Sequence, residues 1–264
     1  MRRMQVRRSK ISGFSFIHNG VEAGYPFVQA IQAVESYVDE MVVVDMQSTD
    51  ETRSVLAKLD VRILDGTWVA GMHERCLEAN FDLHSRCSYD IIWFFEADEV
   101  FSDSLAREVA RWIDPEGIEQ ISVPRLQLEQ NFQRCRWYPE YVHRIFSKGT
   151  ATKAGHTLDY KGSVQRVPTS AGFLWDLSNC FRDNWLQREK NQAELWGGMH
   201  RYRCVPFHFT MAPVEMCTGE PETRLLNQEQ WTWTRSPFDL PDSLKSLVGV
   251  TDYRIYLRGL GLLS

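Results

Sequence analysis

Three carboxylates within four residues follow a continuous apolar run in residues 91–101. Residues 91–95 are all hydrophobic, which is typical of a strand buried on both faces. The carboxylates belong to Glu96, Asp98 and Glu99. Acids beside a buried strand are costly unless a positive charge lies among them, and a hard divalent cation that also binds substrate phosphates would supply that charge. A plain acidic turn, with Ser102 capping the next helix, is the alternative explanation.

A further acid, Asp45, closes the apolar run of residues 41–44. Strand-like runs alternate with helical patterns up to about residue 125, which predicts an α/β fold with a doubly wound, mostly parallel sheet. The carboxyl ends of parallel strands lie on one edge, and open α/β sheets bind their ligands there. We therefore expect Asp45 and the later acidic cluster on the same edge. A side chain of Asp45 that only caps the next turn would explain the same pattern.

The elements that must position these acids follow from hydrophobic periodicity. Strands are predicted at residues 11–17, 41–44, 61–64, 90–95 and 121–123. Helices are predicted near residues 27–38, 52–59, 71–87 and 102–112, with Ser48 or Thr49 as a cap for the second. Aromatic, basic and turn residues predominate after about residue 126, which predicts short antiparallel strands, a helix at 181–204, a strand at 204–209 and a helix-rich tail at 244–263.

Composition excludes several classes of function. The formal net charge of −5 argues against a general nucleic-acid partner. Basic residues crowd positions 1–10, which predicts a solvated tail or a peripheral contact with an anionic membrane. No apolar run reaches about 18 residues, so no membrane span is expected, and the basic start lacks a signal-peptide core. The six scattered cysteines predict reduced thiols in a cytoplasmic protein.

Three motifs, in order, resemble the signature of family 2 glycosyltransferases of the GT-A fold. They are residues 16–20 (FIHNG), 42–52 (VVVDMQSTDET) and 95–100 (FEADEV), and residues 144–149 (RIFSKG) resemble a later stretch of the family. The resemblance implies a GT-A-type sheet with a mixed C-terminal extension. It also divides the chain into a nucleotide-sugar-binding half, residues 1–125, and an acceptor-side and C-terminal half of the same domain, residues 126–264.

The resemblance also implies roles for particular residues. Contacts with the nucleotide sugar would come from Asn19, Asp45, Glu96, Ala97 and Asp98. Asp98 would hold a Mn²⁺ or Mg²⁺ ion that bridges the donor diphosphate, with Glu99 beside it. His208 could add a nitrogen ligand, although a hydrogen-bonded, half-buried histidine is the simpler interpretation. The cation would stabilise the charge that gathers on the departing nucleoside diphosphate.

The implied reaction moves a sugar from a UDP- or GDP-type donor to a hydroxyl of a glycan, a lipid-linked acceptor or a small molecule. The enzyme would be a metal-dependent hexosyltransferase. Inversion, usual for the family, requires a general base. The candidates after the first half are Glu129, Glu140, Asp159, Asp183 and His208. We choose Glu140, because the nearby aromatic residues Trp137 and Tyr138 suit a sugar hydroxyl. An acid in an aromatic surface loop is the alternative.

One segment departs from the family pattern. Residues 162–166 read Gly-Ser-Val-Gln-Arg, where many relatives have Gly-x-Val-His-Glu. Arg166 cannot act as a base at neutral pH, so either the base lies elsewhere or the activity is altered. A non-catalytic nucleotide- or carbohydrate-binding module is therefore the second hypothesis. Dehydrogenases, P-loop enzymes and sugar-phosphate nucleotidylyltransferases are disfavoured, because their glycine-rich loops are missing.

Overall fold

A computed structural model describes most of the 264-residue chain. The described residues are 9–69, 72–113, 120–129, 134–136, 140–154, 157–179, 233–235, 242–248, 250 and 252–264. The predicted elements at 181–204 and 204–209 lie outside them, as do His208 and the first eight residues.

Strands and helices alternate through the first half of the chain. The strands are β1 (Ile11–Ile17), β2 (Glu40–Asp45), β3 (Arg62–Asp65), β4 (Ile91–Phe94), β5 (Glu99–Phe101), β6 (Gln120–Glu129), β7 (Arg134–Arg136), β8 (Glu140–Ser147), β9 (Ala151–Ala154), β10 (Thr157–Tyr160), β11 (Gln165–Arg166), β12 (Leu174–Asn179) and β13 (Trp233–Arg235). The α-helices are α1 (Gly20–Ala23), α2 (Phe27–Glu35), α3 (Thr52–Leu56), α4 (His73–Phe81), α5 (Asp103–Trp112), α6 (Asp242–Lys245) and α7 (Tyr253–Gly259). Short 3₁₀ helices occupy Asp82–Arg86 and Thr169–Ala171.

The sheet is parallel in its first half and mixed beyond it. Its main path runs β13-β7-β6-β8-β4-β1-β2-β3, with β5, β11 and β12 alongside. Strand β1 is parallel to both β2 and β4, and β2 is parallel to β3. Strand β8 is antiparallel to both β4 and β6. The predicted α/β class with a mixed extension is confirmed. The four neighbouring strands β3, β2, β1 and β4 are all parallel, whereas β6 pairs in parallel with β11 and β12 and antiparallel with β7 and β8.

Both faces of the sheet are covered. Ile11 and Ile17 of β1 lie in the larger core cluster together with Val34 of α2. Phe14 and Phe16 of the same strand lie in a second cluster with Phe81 of α4. Successive residues of a strand point to opposite faces, so this division places α2 and α4 on opposite sides of the sheet. The doubly wound arrangement follows from it.

The C-terminal helix packs against the first half of the chain. Tyr253 of α7 is fully buried, and its hydroxyl donates to Gln29 Oε1 at 2.8 Å. The same hydroxyl accepts from the backbone N–H of Val28 at 3.3 Å. The predicted helix-rich tail is confirmed. Its contacts stabilise α2, which packs on one face of the sheet against β1 and β2.

Three local predictions need correction. A short strand, β5, was not predicted: Val100 and Phe101, which follow the acidic turn, are fully buried in it, and it pairs with β12. Helix α3 begins after Glu51, which makes no side-chain cap hydrogen bond, so the cap predicted from Ser48 or Thr49 is wrong. Strand β6 runs from 120 to 129 and is therefore longer than the strand predicted at 121–123, whereas the division of the chain into two halves at residue 125 stays a prediction.

Two further predictions concern membrane spans and cysteine thiols. No helix in the described part of the chain is both long and apolar enough to cross a membrane. Cys76 and Cys87 are free and buried, which agrees with the predicted reduced thiols. Burial raises the pKa of the Cys87 thiol to about 12, so this thiol stays protonated at neutral pH. The cytoplasmic location stays a prediction.

Candidate functional site

The carboxyl ends of β1, β2 and β4 form one edge of the sheet. Ile17 at the end of β1 pairs with Asp45 at the end of β2, and Phe14 pairs with Phe94 at the end of β4. Asp65 ends β3 directly opposite Asp45. Chain order reverses between β1 and β4, and such switch points are where open α/β sheets bind ligands. Asp45 and the turn after β4 therefore share one edge, as predicted.

Asp45 is buried at this edge and already has two partners. Its Oδ1 accepts from the backbone N–H of Ser48 at 3.1 Å, which caps the turn after β2. Its Oδ2 accepts from Arg53 Nη1 at 3.1 Å, and the same guanidinium nitrogen lies 2.7 Å from Asp65 Oδ1. The capping role that the sequence left open is therefore present. A contact between Asp45 and a nucleotide stays a prediction.

Asn19 fastens the loop after β1 to the loop after β2. Its backbone is left-handed, with φ 46° and ψ 43°, and its side-chain Oδ1 accepts from the N–H of Thr49 at 2.7 Å. The N–H of Asn19 donates to Ser48 Oγ at 2.9 Å, and the N–H of Glu22 donates to Asp50 Oδ2 at 2.8 Å. Polar side chains of the first and second motifs thus satisfy backbone donors on each other's loops. This network fixes the shape of the edge before any ligand binds.

Trp68 covers the side chain of His18 beside the same edge. Their rings are stacked, with centroids 3.4 Å apart and an interplanar angle of 13°. Gly66 permits this approach, because a Cβ atom there would lie 2.5 Å from Val44 Cγ1. The N–H of Gly66 also donates to the carbonyl of Asp45 at 2.9 Å. The loop after β3 is therefore held close to the ends of β1 and β2.

Glu96, Ala97 and Asp98 form the acidic turn between β4 and β5. The Glu96 side chain is 37% exposed, Ala97 is buried, and Asp98 is half-buried. The N–H of Glu99 donates to the Glu96 carbonyl at 3.0 Å, which closes the turn. The Asp98 carbonyl accepts from the N–H of Leu177 at 2.8 Å, which ties the turn to β12. Two carboxylates thus stand at the edge on a fixed backbone.

Glu99 lies beneath this turn rather than in it, with its side chain 1% exposed. Arg144 donates through Nε to Oε2 at 2.7 Å and through Nη2 to Oε1 at 2.6 Å. Arg125 Nη1 donates to Oε1 at 3.2 Å, and the N–H of Glu96 donates to Oε2 at 3.1 Å. Both oxygens are committed to protein donors. The predicted metal-ligand role does not fit this geometry, and we assign Glu99 to anchoring the turn.

The charges around Glu99 set its protonation state. Burial alone would raise its pKa, but the attraction and hydrogen bonds of Arg144, with the charge of Arg125, lower the pKa from 4.5 to about 2. Burial likewise opposes the charge of Arg144, yet the attraction of Glu99 and Glu96 raises the pKa of that guanidinium. The buried pair is therefore fully charged at neutral pH.

Arg125 of β6 contacts two further acids in addition to Glu99. Its Nη2 lies 2.6 Å from Glu140 Oε2, and its Nη1 lies 3.9 Å from Asp176 Oδ2. Glu140 begins β8 with its side chain 59% exposed, whereas Asp176 pairs directly opposite Glu99 on β12. The structure therefore brings the predicted base into the same cluster as the acidic turn, through a shared guanidinium.

Sequence reasoning missed Arg125, Asp176 and Lys153. A lone arginine within the apolar stretch of residues 121–128 is a usable signal, because such a charge is normally buried only when paired. Asp176 carries the same signal between Trp175 and Leu177. Lys153 carries none, since its neighbours are a threonine and an alanine.

The described residues suit a cation that arrives with its own phosphate ligand. Within the described ranges, no group of three or more His, Cys, Asp or Glu side chains could hold a metal ion. Glu96 and Asp98 nevertheless lie on the turn at this edge, are both partly exposed, and carry hard oxygen atoms. Magnesium-like ions commonly bind one or two carboxylates plus substrate phosphates. The acidic turn fits that mode.

The departure from the family pattern falls on an exposed strand. Gln165 and Arg166 form β11, which pairs in parallel with β6. The guanidinium of Arg166 lies 5.3 Å from the ring centroid of Tyr141. A positive charge packed on an aromatic ring thus stands where the family resemblance led us to expect an acid. Trp137 and Tyr138 lie outside the described residues.

Comparisons of the sequence with known proteins agree that the chain is similar to glycosyltransferases. A sequence model described as Glycosyl transferase family 2 matches residues 25–178, more than half of the chain. An uncharacterised glycosyltransferase of Rickettsia felis is 32% identical over 100 residues, which cover 38% of this chain and 32% of that protein. One from Rickettsia conorii is 29% identical over 100 residues, covering 38% and 33%. The match thus spans about a third of the length of these relatives.

Solved structures also resemble parts of the chain. The Staphylococcus aureus TarS fragment 1–349 in complex with UDP-GlcNAc is 16% identical, covers 45% of this chain and 35% of that chain, and gives a TM-score of 0.36. The mannosyltransferase PcManGT from Pyrobaculum calidifontis, in complex with GDP-Man and Mn²⁺, is 22% identical, covers 45% and 36%, and gives 0.34. TM-scores of this size do not establish a shared fold, so the family assignment rests on the sequence match.

Proposed function

Because the chain belongs to glycosyl transferase family 2, we propose that it is a metal-dependent hexosyltransferase. It moves a sugar from a UDP- or GDP-type nucleotide sugar to an acceptor hydroxyl, with inversion at the anomeric carbon. One observation carries the proposal: the acidic turn with Glu96 and Asp98 stands at the carboxyl end of β4, beside the end of β1. That is the switch point of the sheet.

The proposal gives each edge residue a task. Asp45 and Asn19, on neighbouring loops, contact the nucleoside, and Glu96 with Ala97 contacts the ribose or the sugar. Asp98 holds Mn²⁺ or Mg²⁺ together with the donor phosphates, and His208, outside the described residues, is retained as a further ligand. The bound cation supplies stabilisation of the negative charge on the leaving diphosphate. Glu99 is left out of the ligand set, because arginines hold both of its oxygens.

Two acids compete for the role of general base. Glu140 is exposed to an incoming acceptor and is held by Arg125 at 2.6 Å. Asp176 is less exposed and lies 3.9 Å from the same guanidinium. We retain Glu140, because a base must reach the proton that it removes and Glu140 is the more accessible. The amide variants Glu140→Gln and Asp176→Asn decide between them: the base variant loses turnover while nucleotide affinity stays unchanged.

The second candidate is a non-catalytic module that binds a nucleotide or a carbohydrate. The observation that favours it is Arg166, which stands exposed on β11 where many relatives have an acid. Turnover separates the two functions. Release of UDP or GDP from a panel of sugar nucleotides supports the transferase, whereas binding without release on any donor supports the module.

The proposal predicts that a nucleoside diphosphate with Mn²⁺ stabilises the fold. At 100 times its dissociation constant, a ligand adds about 2.7 kcal/mol to the free energy of unfolding, which is about 5–10 °C in Tm for a chain of this size. Thermal unfolding with UDP, GDP, ADP and each nucleoside, with and without Mn²⁺, measures this. We expect UDP or GDP with Mn²⁺ to give the largest shift. No shift with any nucleotide would contradict the proposal.

A further inference from the structure

Lys153 carries a buried positive charge close to the acidic turn. It lies on β9, outside the three sequence motifs, and its side chain is 2% exposed. Burial lowers the pKa of its ammonium group, while the charge of Glu96 raises it. Lysine is almost never fully buried unless its charge is paired with an opposite charge.

The ammonium lies at the switch point of the sheet. Lys153 Nζ is 5.9 Å from the ring centroid of Phe16 and 5.7 Å from that of Phe94. Phe16 lies near the end of β1, and Phe94 is the last residue of β4. The two rings attract the ammonium through a weak cation–π interaction. The charge therefore sits between the two strand ends that border the ligand crevice.

Within the described part of the chain, nothing accepts a hydrogen bond from this ammonium. Its nearest carboxylate oxygen is Glu96 Oε1 at 4.0 Å, which is beyond hydrogen-bond range. Arg144 Nη2 lies 3.9 Å from the same oxygen, so that oxygen already has a second cation nearby. The three N–H donors of the ammonium thus have one carboxylate nearby among the described residues, and it lies beyond hydrogen-bond range.

The neighbouring cations are committed elsewhere. Arg144 donates two hydrogen bonds to Glu99 and one to the carbonyl of His143. Arg125 is divided between Glu99 and Glu140. Of the buried cations described around the acidic turn, Lys153 is the one whose donors point to no protein acceptor. An anionic ligand at the switch point would satisfy them.

We propose that Lys153 binds the diphosphate of the sugar-nucleotide donor. The inference rests on the proposed function, which it extends by naming the residue that contacts the phosphate. Lysine binds phosphate as a compact point charge. On cleavage of the glycosidic bond the leaving oxygen gains negative charge, and a fixed ammonium beside it stabilises the nucleoside diphosphate as it departs.

A purely structural lysine would behave differently in one measurable respect. If Lys153 served only as a counter-ion for Glu96, its removal would lower Tm. If its donors await a ligand, replacing it with methionine removes a costly buried charge, and Tm without nucleotide stays equal or rises. Under the proposal, Lys153→Met therefore weakens nucleotide binding without lowering Tm in the absence of nucleotide.

Calorimetric titration of UDP and GDP in the presence of Mn²⁺ tests this on the full chain. For the nucleotide that binds the wild type, Lys153→Met should raise Kd at least tenfold without lowering Tm. Lys153→Arg keeps the charge and should stay within threefold of the wild type. The exposed Lys161 provides the matched control, and Lys161→Gln should leave Kd unchanged. Lys153→Gln repeats the test with a polar side chain.

The outcomes separate the two proposals. Unchanged diphosphate affinity in Lys153→Met and Lys153→Gln overturns the phosphate role and leaves the transferase function standing. An equal loss of affinity for the nucleoside alone also overturns it, because the contact would not be to phosphate. A lower Tm in both variants without nucleotide assigns Lys153 to the fold. A wild type that binds neither UDP nor GDP overturns the proposed function itself.

Discussion

Replacing Asp98 with alanine is expected to lower sugar-nucleotide turnover at least 100-fold. Loss of one preorganised electrostatic stabiliser typically costs about 2.7–4 kcal/mol of transition-state stabilisation, which is a factor of about 10²–10³. The fold should survive, because the hydrogen bond that ties this turn to β12 uses the Asp98 backbone carbonyl rather than its side chain. The Mn²⁺-dependent part of the thermal shift should disappear as well.

Release of UDP or GDP, measured with and without Mn²⁺, checks this expectation. Asp98→Asn removes the charge at nearly constant volume and should resemble Asp98→Ala. Asp90 is exposed and lies just before the start of β4, the strand whose other end leads into the acidic turn. Asp90→Asn is therefore the matched control and should keep full turnover. Wild-type turnover in Asp98→Ala, or an equal loss in Asp90→Asn, would remove the acidic turn from the mechanism.

Breaking the buried pair of Glu99 and Arg144 is expected to give the largest loss of stability. Removing one partner of a buried ion pair typically costs about 3–5 kcal/mol, because the other charge stays buried without compensation. For a chain of this size that loss lowers Tm by about 6–20 °C. The double variant Glu99→Gln with Arg144→Met should lose less than the sum of the two single variants, because neither charge is then stranded.

Urea unfolding of the three variants measures the coupling. The pair of Glu108 and Arg111 on α5 is exposed and spaced i,i+3, so Arg111→Met should change the free energy of unfolding by only about 0.5 kcal/mol. Strict additivity of the Glu99 and Arg144 effects would show that the two side chains do not act as a unit.

The same pair predicts the acid sensitivity of the fold. The pKa of Glu99 is lowered from 4.5 to about 2 in the folded chain, so its stabilising effect is complete above pH 4.5 and is lost as the pH falls towards 2. The stability difference between wild type and Glu99→Gln should therefore shrink over that interval. A difference that stays constant between pH 5 and pH 2.5 would contradict the charged state assigned to Glu99.

The edge of the sheet could be predicted from the sequence because its signals are local. Residues 41–44 and 91–95 are continuous apolar runs whose short length and β-branched or aromatic residues are typical of buried strands, and the acids follow them directly. Parallel pairing then places Asp45 and the acidic turn on one edge without any knowledge of side-chain contacts. Periodicity and chain connectivity decide this part of the fold.

The partners of those acids could not be predicted, because they depend on the register of distant strands. Glu99 is buried whereas its neighbour Asp98 is partly exposed, and the burial of Glu99 follows from the pairing of β5 with β12. Arg125 and Arg144 reach Glu99 from β6 and β8, which pair with one another across a register shift. Lys153 arrives from a separate two-stranded sheet. A one-residue slip in any of these pairings would turn the charge to the other face.

Crystals of the chain soaked with UDP or GDP and MnCl₂ would test the central claim most directly. The account predicts a diphosphate between the carboxyl ends of β1 and β4, with an anomalous manganese peak at the Asp98 carboxylate and Lys153 Nζ within hydrogen-bond distance of a phosphate oxygen. A nucleotide bound elsewhere on the molecule, or an empty edge at saturating nucleotide, would contradict it.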